Sequence, residues 1–128
     1  FLKKDVHFLI LFMAWLPDES EIAKRSEELV LKYNPEWTGG GMKRYELKTP
    51  GWSEEWFTAA HAVTYDIPVV FTRESWHGRI KACRGIGASS LSQEEIAAWE
   101  KEHLAYLETV PEEFSIPHYV TMLDLKKK

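Results

Sequence analysis

The middle of this acidic chain gathers basic side chains at helical spacing. Arg73, His77 and Lys81 recur every four residues, so they share one face if the segment is a regular helix. Arginine presents a planar fork of donors that suits a carboxylate or a phosphate. The pattern is therefore consistent with a clamp for an anionic substrate, which would include three further residues of the segment: Trp76, Arg79 and Arg84. In the alternative interpretation these cations stabilise the end of the helix and pair with carboxylates close in sequence: Glu74, Glu94 or Glu95.

Two side chains of the same segment are candidates for proton transfer or nucleophilic chemistry. His77 can take a proton from an acceptor nucleophile, because histidine titrates near neutral pH, or it can be purely structural. Cys83 falls on a mostly apolar face, which favours an inert buried thiol. Cations close in sequence would instead make it a nucleophile by lowering the pKa of the thiol. The other histidines lack the spacing of metal ligands, so no zinc site is expected at His61, His103 or His118.

Tryptophans mark two further candidate positions. Trp15 follows an apolar run that predicts a strand, and open α/β sheets bind ligands beyond the carboxyl ends of their strands. Trp15 is thus either a wall of a substrate pocket or a side chain that packs over the strand end. Trp37, Trp52 and Trp56 surround a segment rich in glycine and proline. Aromatic side chains in such a loop either line a ligand site or close the bottom of the core.

Composition places the chain among compact single domains. Its 128 residues include six tryptophans and 45% apolar residues, enough for one core, and we expect a single domain over residues 1–128. The net charge of −4 argues against nonspecific nucleic-acid binding. The single cysteine cannot form an internal disulfide, which is consistent with the cytoplasm. The opening residues, FLKKD, are typical of the last turn of a helix and indicate a piece of a longer protein.

Hydrophobic patterns predict alternating strands and helices. The run Val6–Ala14 predicts a strand buried on both faces. Asp18 and Glu21 form a capping box for a helix whose apolar face carries Ile22, Leu29, Val30 and Tyr33. A helical turn is expected within Trp52–Thr58.

The second half of the chain repeats this alternation. Thr58–Phe71 alternates as a strand, and Pro68 within it favours an edge position. Thr72 caps a short helix at Arg73–Cys83, whose residues Trp76 and Ile80 should face inward. Ser92 and Glu95 form a second capping box, and Phe114–Leu125 alternates as the last strand.

Most of the chain resembles one known family. The segments FTRESWHGRIKACRGIGASSLS, EEIAAWEKEHLAYL and EEFSIPHYVTMLDLKK resemble the carboxyl-terminal half of bacterial class I S-adenosylmethionine-dependent methyltransferases. The upstream LILFMAWLPDESEIAKRSEELVLKYNPEWTGGGMKR fits the same subfamily. The resemblance implies a partial Rossmann-like α/β fold with a three-stranded mixed sheet. Its strands would be the family's fifth, sixth and seventh, and the seventh would lie antiparallel between the other two.

The resemblance also implies which half of the enzyme is absent. The family binds its cofactor with a glycine-rich turn after the first strand and a carboxylate after the second. Neither is present, and Thr38–Gly41 does not follow a strand directly. We therefore expect the parent protein to use S-adenosylmethionine, and this chain alone neither to bind the cofactor nor to methylate anything. It would supply the substrate side for a small-molecule acceptor through Trp15, Trp37, Arg44, Arg73, Trp76 and Arg79, with His77 as the candidate base.

Two other classes of function compete with this interpretation. The chain can be a noncatalytic ligand-binding or interaction module, or a nucleic-acid-binding module built on the basic helix. No membrane partner is expected, because no apolar run reaches about 18 residues. The apolar strand Val6–Ala14 would lack a neighbour on one edge, so self-association is expected, most simply as a twofold dimer.

Overall fold

The computed structural model describes residues 2–128, apart from the side chain of Ala60. Its strands and helices alternate as the sequence predicts, which confirms the α/β class. In chain order they are β1 (His7–Trp15), α1 (Glu21–Tyr33), β2 (Phe57–Thr72), α2 (Arg73–Lys81), α3 (Gln93–Leu107) and β3 (Glu113–Lys127). Short 3-10 turns occur at Pro17–Glu19 and Gly51–Ser53. Residues 2–6 form no helix, contrary to the prediction, and Phe1 lies outside the described residues.

The three strands form one sheet in the order β1-β3-β2. The Leu16 amide donates to the Pro117 carbonyl at 2.9 Å, and the Arg73 amide donates to the Glu112 carbonyl at 3.1 Å. Because later residues of β3 pair with earlier residues of β1 and β2, both pairs are antiparallel. The prediction of a mixed, Rossmann-like sheet is therefore wrong for the described residues. β1 and β2 run in the same direction, but β3 separates them. The edge position of β2 accommodates Pro68, as expected.

The helices begin at side chains that cap their free amides. Ser92 and Glu95 form the predicted capping box of α3, and Thr72 caps α2 together with Ser75. The prediction for α1 is wrong by two residues. Ser20, not Asp18, is its N-cap and accepts a hydrogen bond from the amide of Ala23. Asp18 instead lies within the 3-10 turn that Pro17 starts.

Chain contacts divide the protein into two compact units. The first, here called the helical unit, comprises residues 15–43 and 68–117 and contains all three α-helices. Its core is formed by large side chains that solvent barely reaches. Trp76 and Trp99 are both 0% exposed, and Ile80 is 1% exposed, which confirms that Trp76 and Ile80 face inward. Leu29 and Val30 of α1 belong to the same core, as the helical pattern predicts.

The second unit, here called the ribbon unit, comprises residues 2–14, 44–67 and 118–128. Aromatic residues of its loop cover part of one face of β1: Trp52 meets Phe8 at 6.2 Å and Tyr45 meets Phe12 at 5.7 Å between ring centroids. The alternate residues of β1 project from the opposite face. There Leu9 is 59% exposed and Leu11 is 65% exposed. The prediction that β1 is buried on both faces is therefore wrong, because the described residues of the unit cover one face in part and leave the other open.

Candidate functional site

The carboxyl end of β1 carries the best-formed group of predicted site residues, all within the helical unit. Trp15 is buried, and its indole Nε1 donates to Oε2 of Glu27 at 2.6 Å. Its ring meets that of Trp76 edge-on at 5.4 Å. The guanidinium of Arg79 lies over the Trp15 ring, 4.8 Å from its centroid. The structure thus brings together Trp15, Trp76 and Arg79, which come from β1 and α2.

Glu27 fixes the glycine loop beside this group. Its Oε1 accepts a hydrogen bond from the amide of Gly41 at 2.7 Å, while Oε2 accepts from Trp15. Burial raises the pKa of the Glu27 carboxyl, and the two hydrogen bonds oppose that shift. A side chain at Gly40 would place its Cβ 2.8 Å from Oε1, so only glycine fits there without displacing the carboxylate. The sequence signal for this role was a carboxylate on the inner face of α1, four residues after buried Ala23.

Arg79 is the cation of this group that is available to a ligand. It is exposed, and no carboxylate in the described part of the chain lies within ion-pair distance of it. Stacking on Trp15 holds one face of the guanidinium while its N–H groups remain available. This arrangement suits the recognition of an anionic group.

The other cations of α2 are engaged within the fold. Arg73 donates to the carbonyl of Val110 and forms ion pairs at 3.3 Å with Glu112 and 3.8 Å with Glu108. Lys81 pairs with Glu100 at 2.7 Å. Arg73 and Lys81 do pair with carboxylates, as the structural interpretation predicts, but these are not the expected Glu74, Glu94 or Glu95. The carboxylates come from α3 and the segment after it, so they could not be identified by closeness in sequence to α2.

The remaining predicted substrate residues lie elsewhere. Trp37 packs against the core of the helical unit, and a Cβ at Gly85 would lie 3.0 Å from its ring. Arg44 belongs to the ribbon unit, where its Nε donates to Asp66 at 2.9 Å and lowers the pKa of that carboxyl. Trp52 and Trp56 are also in the ribbon unit and are 60% and 51% exposed. Trp52 and Trp56 therefore belong to a different unit from Trp37.

A buried chain of hydrogen bonds runs beneath Trp76, and sequence reasoning missed it. Nε1 of Trp76 donates to Oγ of Ser26 at 2.9 Å, and Ser26 Oγ lies 2.9 Å from Nε2 of His103. Nδ1 of His103 lies 2.8 Å from Nδ1 of His77, and Nε2 of His77 lies 3.0 Å from Glu100. Ser26 and His103 are completely buried. The prediction that His77 lies on the polar face of α2 is wrong, because α3 covers that position.

The proton positions along this chain follow from its ends. The carboxylate of Glu100 accepts, so His77 carries its proton on Nε2 and offers the lone pair of Nδ1. His103 then carries its proton on Nδ1 and accepts from the hydroxyl of Ser26 at Nε2. Burial is the main cause that lowers the pKa of His103 to about 3, and a second proton on His77 would lower it further, so this imidazole is neutral. Every polar group is satisfied, which makes the chain a structural element.

Neither histidine of this hydrogen-bonded series, nor Ser26, is placed to act on a bound substrate. Both ring nitrogens of His77 are engaged inside the helical unit, and Ser26 has no exposed surface. Cys83 is half-buried against the core. Within residues 2–128 no three side chains of the metal-ligating types converge on one point. What the site at Trp15 can do chemically is therefore bind and orient an anionic group through the exposed guanidinium of Arg79.

Comparisons with known proteins find no match for the chain. It matches no family model, no curated protein sequence and no solved structure. In the part of the chain that the structure describes, no helix combines the length and the apolar character needed to cross a membrane.

Proposed function

We propose that this chain is the carboxyl-terminal, substrate-side part of an S-adenosylmethionine-dependent methyltransferase that acts on a small molecule. One observation carries the proposal. β3, the last strand, lies antiparallel between β1 and β2, and β1 forms an edge of the sheet. This is the order that the resemblance implies for the fifth, seventh and sixth strands of the methyltransferase family.

The exposed surface of β1 supports the same proposal. In the complete family fold the fifth strand pairs on its other side with the fourth, and helices cover the sheet. Here the outer edge of β1 has no partner among the described strands, and Leu9, Leu11 and Met13 remain 53–65% exposed. Apolar surface of this extent on a strand is typical of a face that another part of a protein covers. A preceding half of the enzyme would provide that cover.

The described residues do not fit the cofactor itself. Gly39, Gly40 and Gly41 follow α1 rather than a strand, and the amide of Gly41 is already bonded to Glu27. This chain therefore contributes the acceptor side. Arg79 on the ring of Trp15 would bind an anionic group of the acceptor, and Glu27 would hold the adjoining loop in place. Positioning of this kind is a large part of what a protein supplies to a displacement reaction.

A noncatalytic interaction module is the second candidate, and the open face of β1 favours it. The same apolar side chains would then bind a partner protein instead of a preceding half of the enzyme. A nucleic-acid-binding module finds no support in the geometry of α2, since Arg73 and Lys81 are bonded to carboxylates.

Calorimetric titration with S-adenosylmethionine separates these functions. The product of the complete reading frame that contains these residues should bind the cofactor with a Kd on the order of micromolar. The 128-residue chain, measured in parallel as the matched control, should produce no heat of binding. Failure of the complete product to bind would overturn the proposal and favour the interaction module. Binding by the 128-residue chain would contradict the assignment of the cofactor site to another part of the protein.

A further inference from the structure

A second polar surface of the helical unit lies outside the site at Trp15. It is an open cavity of about 230 Å³ between the end of α1 and the turn that follows α2. Its lining is almost entirely polar and consists of Asn34, Glu36, Trp37, Thr38, Arg84, Ser89 and Ser90. Of these residues, Trp37 and Arg84 were expected on the substrate side, but the structure places them away from Trp15 and Arg79 in a cavity of their own.

The walls of the cavity are fixed by hydrogen bonds and close packing. Asn34 ends α1, and its side-chain amide donates to the carbonyl of Gly85 at 3.0 Å. A Cβ at Gly85 would lie 2.4 Å from the side chain of Val30, so the turn and α1 pack without space for any larger residue. The hydroxyl of Ser89 donates to the Ile86 carbonyl and accepts from the amide of Leu91. The backbone around the cavity is therefore fixed, and the exposed side chains of Thr38, Arg84 and Ser90 stand on this fixed frame.

The groups that face the opening are free to bind. Arg84 is exposed and forms no ion pair or hydrogen bond with any residue from 2 to 128, in contrast to Arg73 and Lys81. The hydroxyls of Thr38 and Ser90 likewise have no partner in the described part of the chain. A guanidinium and two free hydroxyls line the same cavity, and their donors match the acceptors of a carboxylate or phosphate. The indole of Trp37 adds an aromatic wall.

Glu36 narrows the class of ligand. Its carboxylate also lines the cavity and is not neutralised by a described cation within 4 Å. This carboxylate balances the charge of Arg84, so one anionic group can bind at the guanidinium while a second would meet net repulsion, which disfavours polyanions such as nucleic acid. The cavity is also smaller than the roughly 300–1,000 Å³ typical of pockets for drug-sized ligands.

We propose that this cavity binds a small molecule with a single carboxylate or phosphate group joined to an aromatic or other flat apolar part. Arg84, Thr38 and Ser90 hold the anionic group, and Trp37 contacts the apolar part. The proposal does not rest on methyl transfer, because a noncatalytic module would bind the same ligand. The source of the anionic group, carboxylate or phosphate ester, is distinguished by the two arms of the test.

Calorimetry with three matched probes tests the site on the whole chain. Benzoate and phenyl phosphate carry the two candidate anionic groups on the same ring, and benzylamine carries a cation instead. Binding is expected for at least one of the two anions and not for benzylamine. Arg84→Gln should weaken anion binding about 10-fold or more, as expected for the loss of a charge-assisted hydrogen bond.

The control substitution is Arg25→Gln, which removes an exposed arginine that pairs with Glu28 on α1. It should leave anion binding unchanged, and urea unfolding of both variants should show that each remains folded. The proposal is overturned if neither anion binds, if benzylamine binds as tightly as benzoate, or if the two arginine variants weaken binding equally.

Discussion

The helical unit and the ribbon unit differ in how fully they bury their apolar side chains. In the helical unit three helices close over Trp76, Trp99 and Ile80, which are at most 1% exposed. In the ribbon unit loop residues cover one face of β1 and leave Leu9 and Leu11 more than half exposed on the other. All of the described α-helices belong to the helical unit, and none belongs to the ribbon unit. The difference therefore lies in whether the chain supplies a second layer over the strands.

The helical unit pairs several of the polar groups that it buries, although the indole Nε1 of Trp99 has no hydrogen-bond partner among the described residues. Glu27 accepts two hydrogen bonds, and Ser26 and His103 belong to one continuous chain from Trp76 to Glu100. Buried polar groups are costly when unpaired, so such networks restrict the unit to one arrangement of its helices. A unit of this kind should tolerate few substitutions in its interior, whereas the open face of the ribbon unit should tolerate many.

The largest expected effect compares one side chain from each unit. Trp76→Ala should lower the free energy of unfolding by about 3–5 kcal/mol, because it leaves a cavity in the closed core. Leu11→Ala, on the open face, should cost less than about 1 kcal/mol. Urea unfolding at low protein concentration measures both values. Equal losses would show that the two units do not differ in how fully they bury their apolar side chains.

A smaller loss is expected at the carboxylate that holds the glycine loop. Glu27→Gln replaces one acceptor oxygen by a donor, so either Trp15 or Gly41 loses its partner. The free energy of unfolding should fall by about 1–3 kcal/mol. Glu28→Gln is the matched control one residue further on, because that exposed side chain pairs only with Arg25. A loss of stability of the same size in Glu28→Gln would show that the burial of Glu27 adds nothing to its contribution to stability.

The third expected effect appears as a dependence on pH. The pKa of His103 falls from 6.5 to about 3 on folding, so the unfolded chain binds more protons than the folded chain between these values. Stability should therefore decrease as the pH falls from 6.5 towards 3, by at most about 1.4 kcal/mol for each pH unit. Ser26 and His77 contact this imidazole, and Trp99 stacks on it.

The contribution of His103 is isolated by subtraction. In His103→Gln the free energy of unfolding, measured with urea at several pH values, should depend less steeply on pH. His61→Gln, which removes an exposed histidine of the ribbon unit, should retain it. An unchanged slope in His103→Gln would mean that the imidazole titrates normally in the folded chain.

Local sequence predicts the elements of this fold well and their burial poorly. Apolar alternation and the capping residues Thr72 and Ser92 place the strands and two helices within a few residues of their observed bounds. These signals act between neighbours in sequence. The exposure of β1 could not be predicted from its residues, because it depends on which other segments cover the strand. The antiparallel pairing of β3 likewise depends on contacts between distant segments.

The candidate site shows the same limit. The group of Trp15, Trp76 and Arg79 was anticipated, because each residue lies where a strand end or helix face directs it. The partners of Arg73 and Lys81 were not, because Glu112 and Glu100 approach from elements far along the chain. His77 was assigned to the polar face because the spacing of α2 cannot show that α3 covers that position. Spacing thus predicts neighbours on one element and not the contacts between elements.

The open face of β1 gives the most direct test of the difference between the units. Leu9 and Leu11 should drive self-association, so sedimentation should show a mass that rises with concentration towards that of a dimer. Leu9→Lys combined with Leu11→Lys should abolish this rise and preserve the unfolding midpoint. Leu31→Lys, at an exposed leucine of α1, should not change it. A wild-type chain that stays monomeric at high micromolar concentration would contradict the account, because the open face would then need no partner.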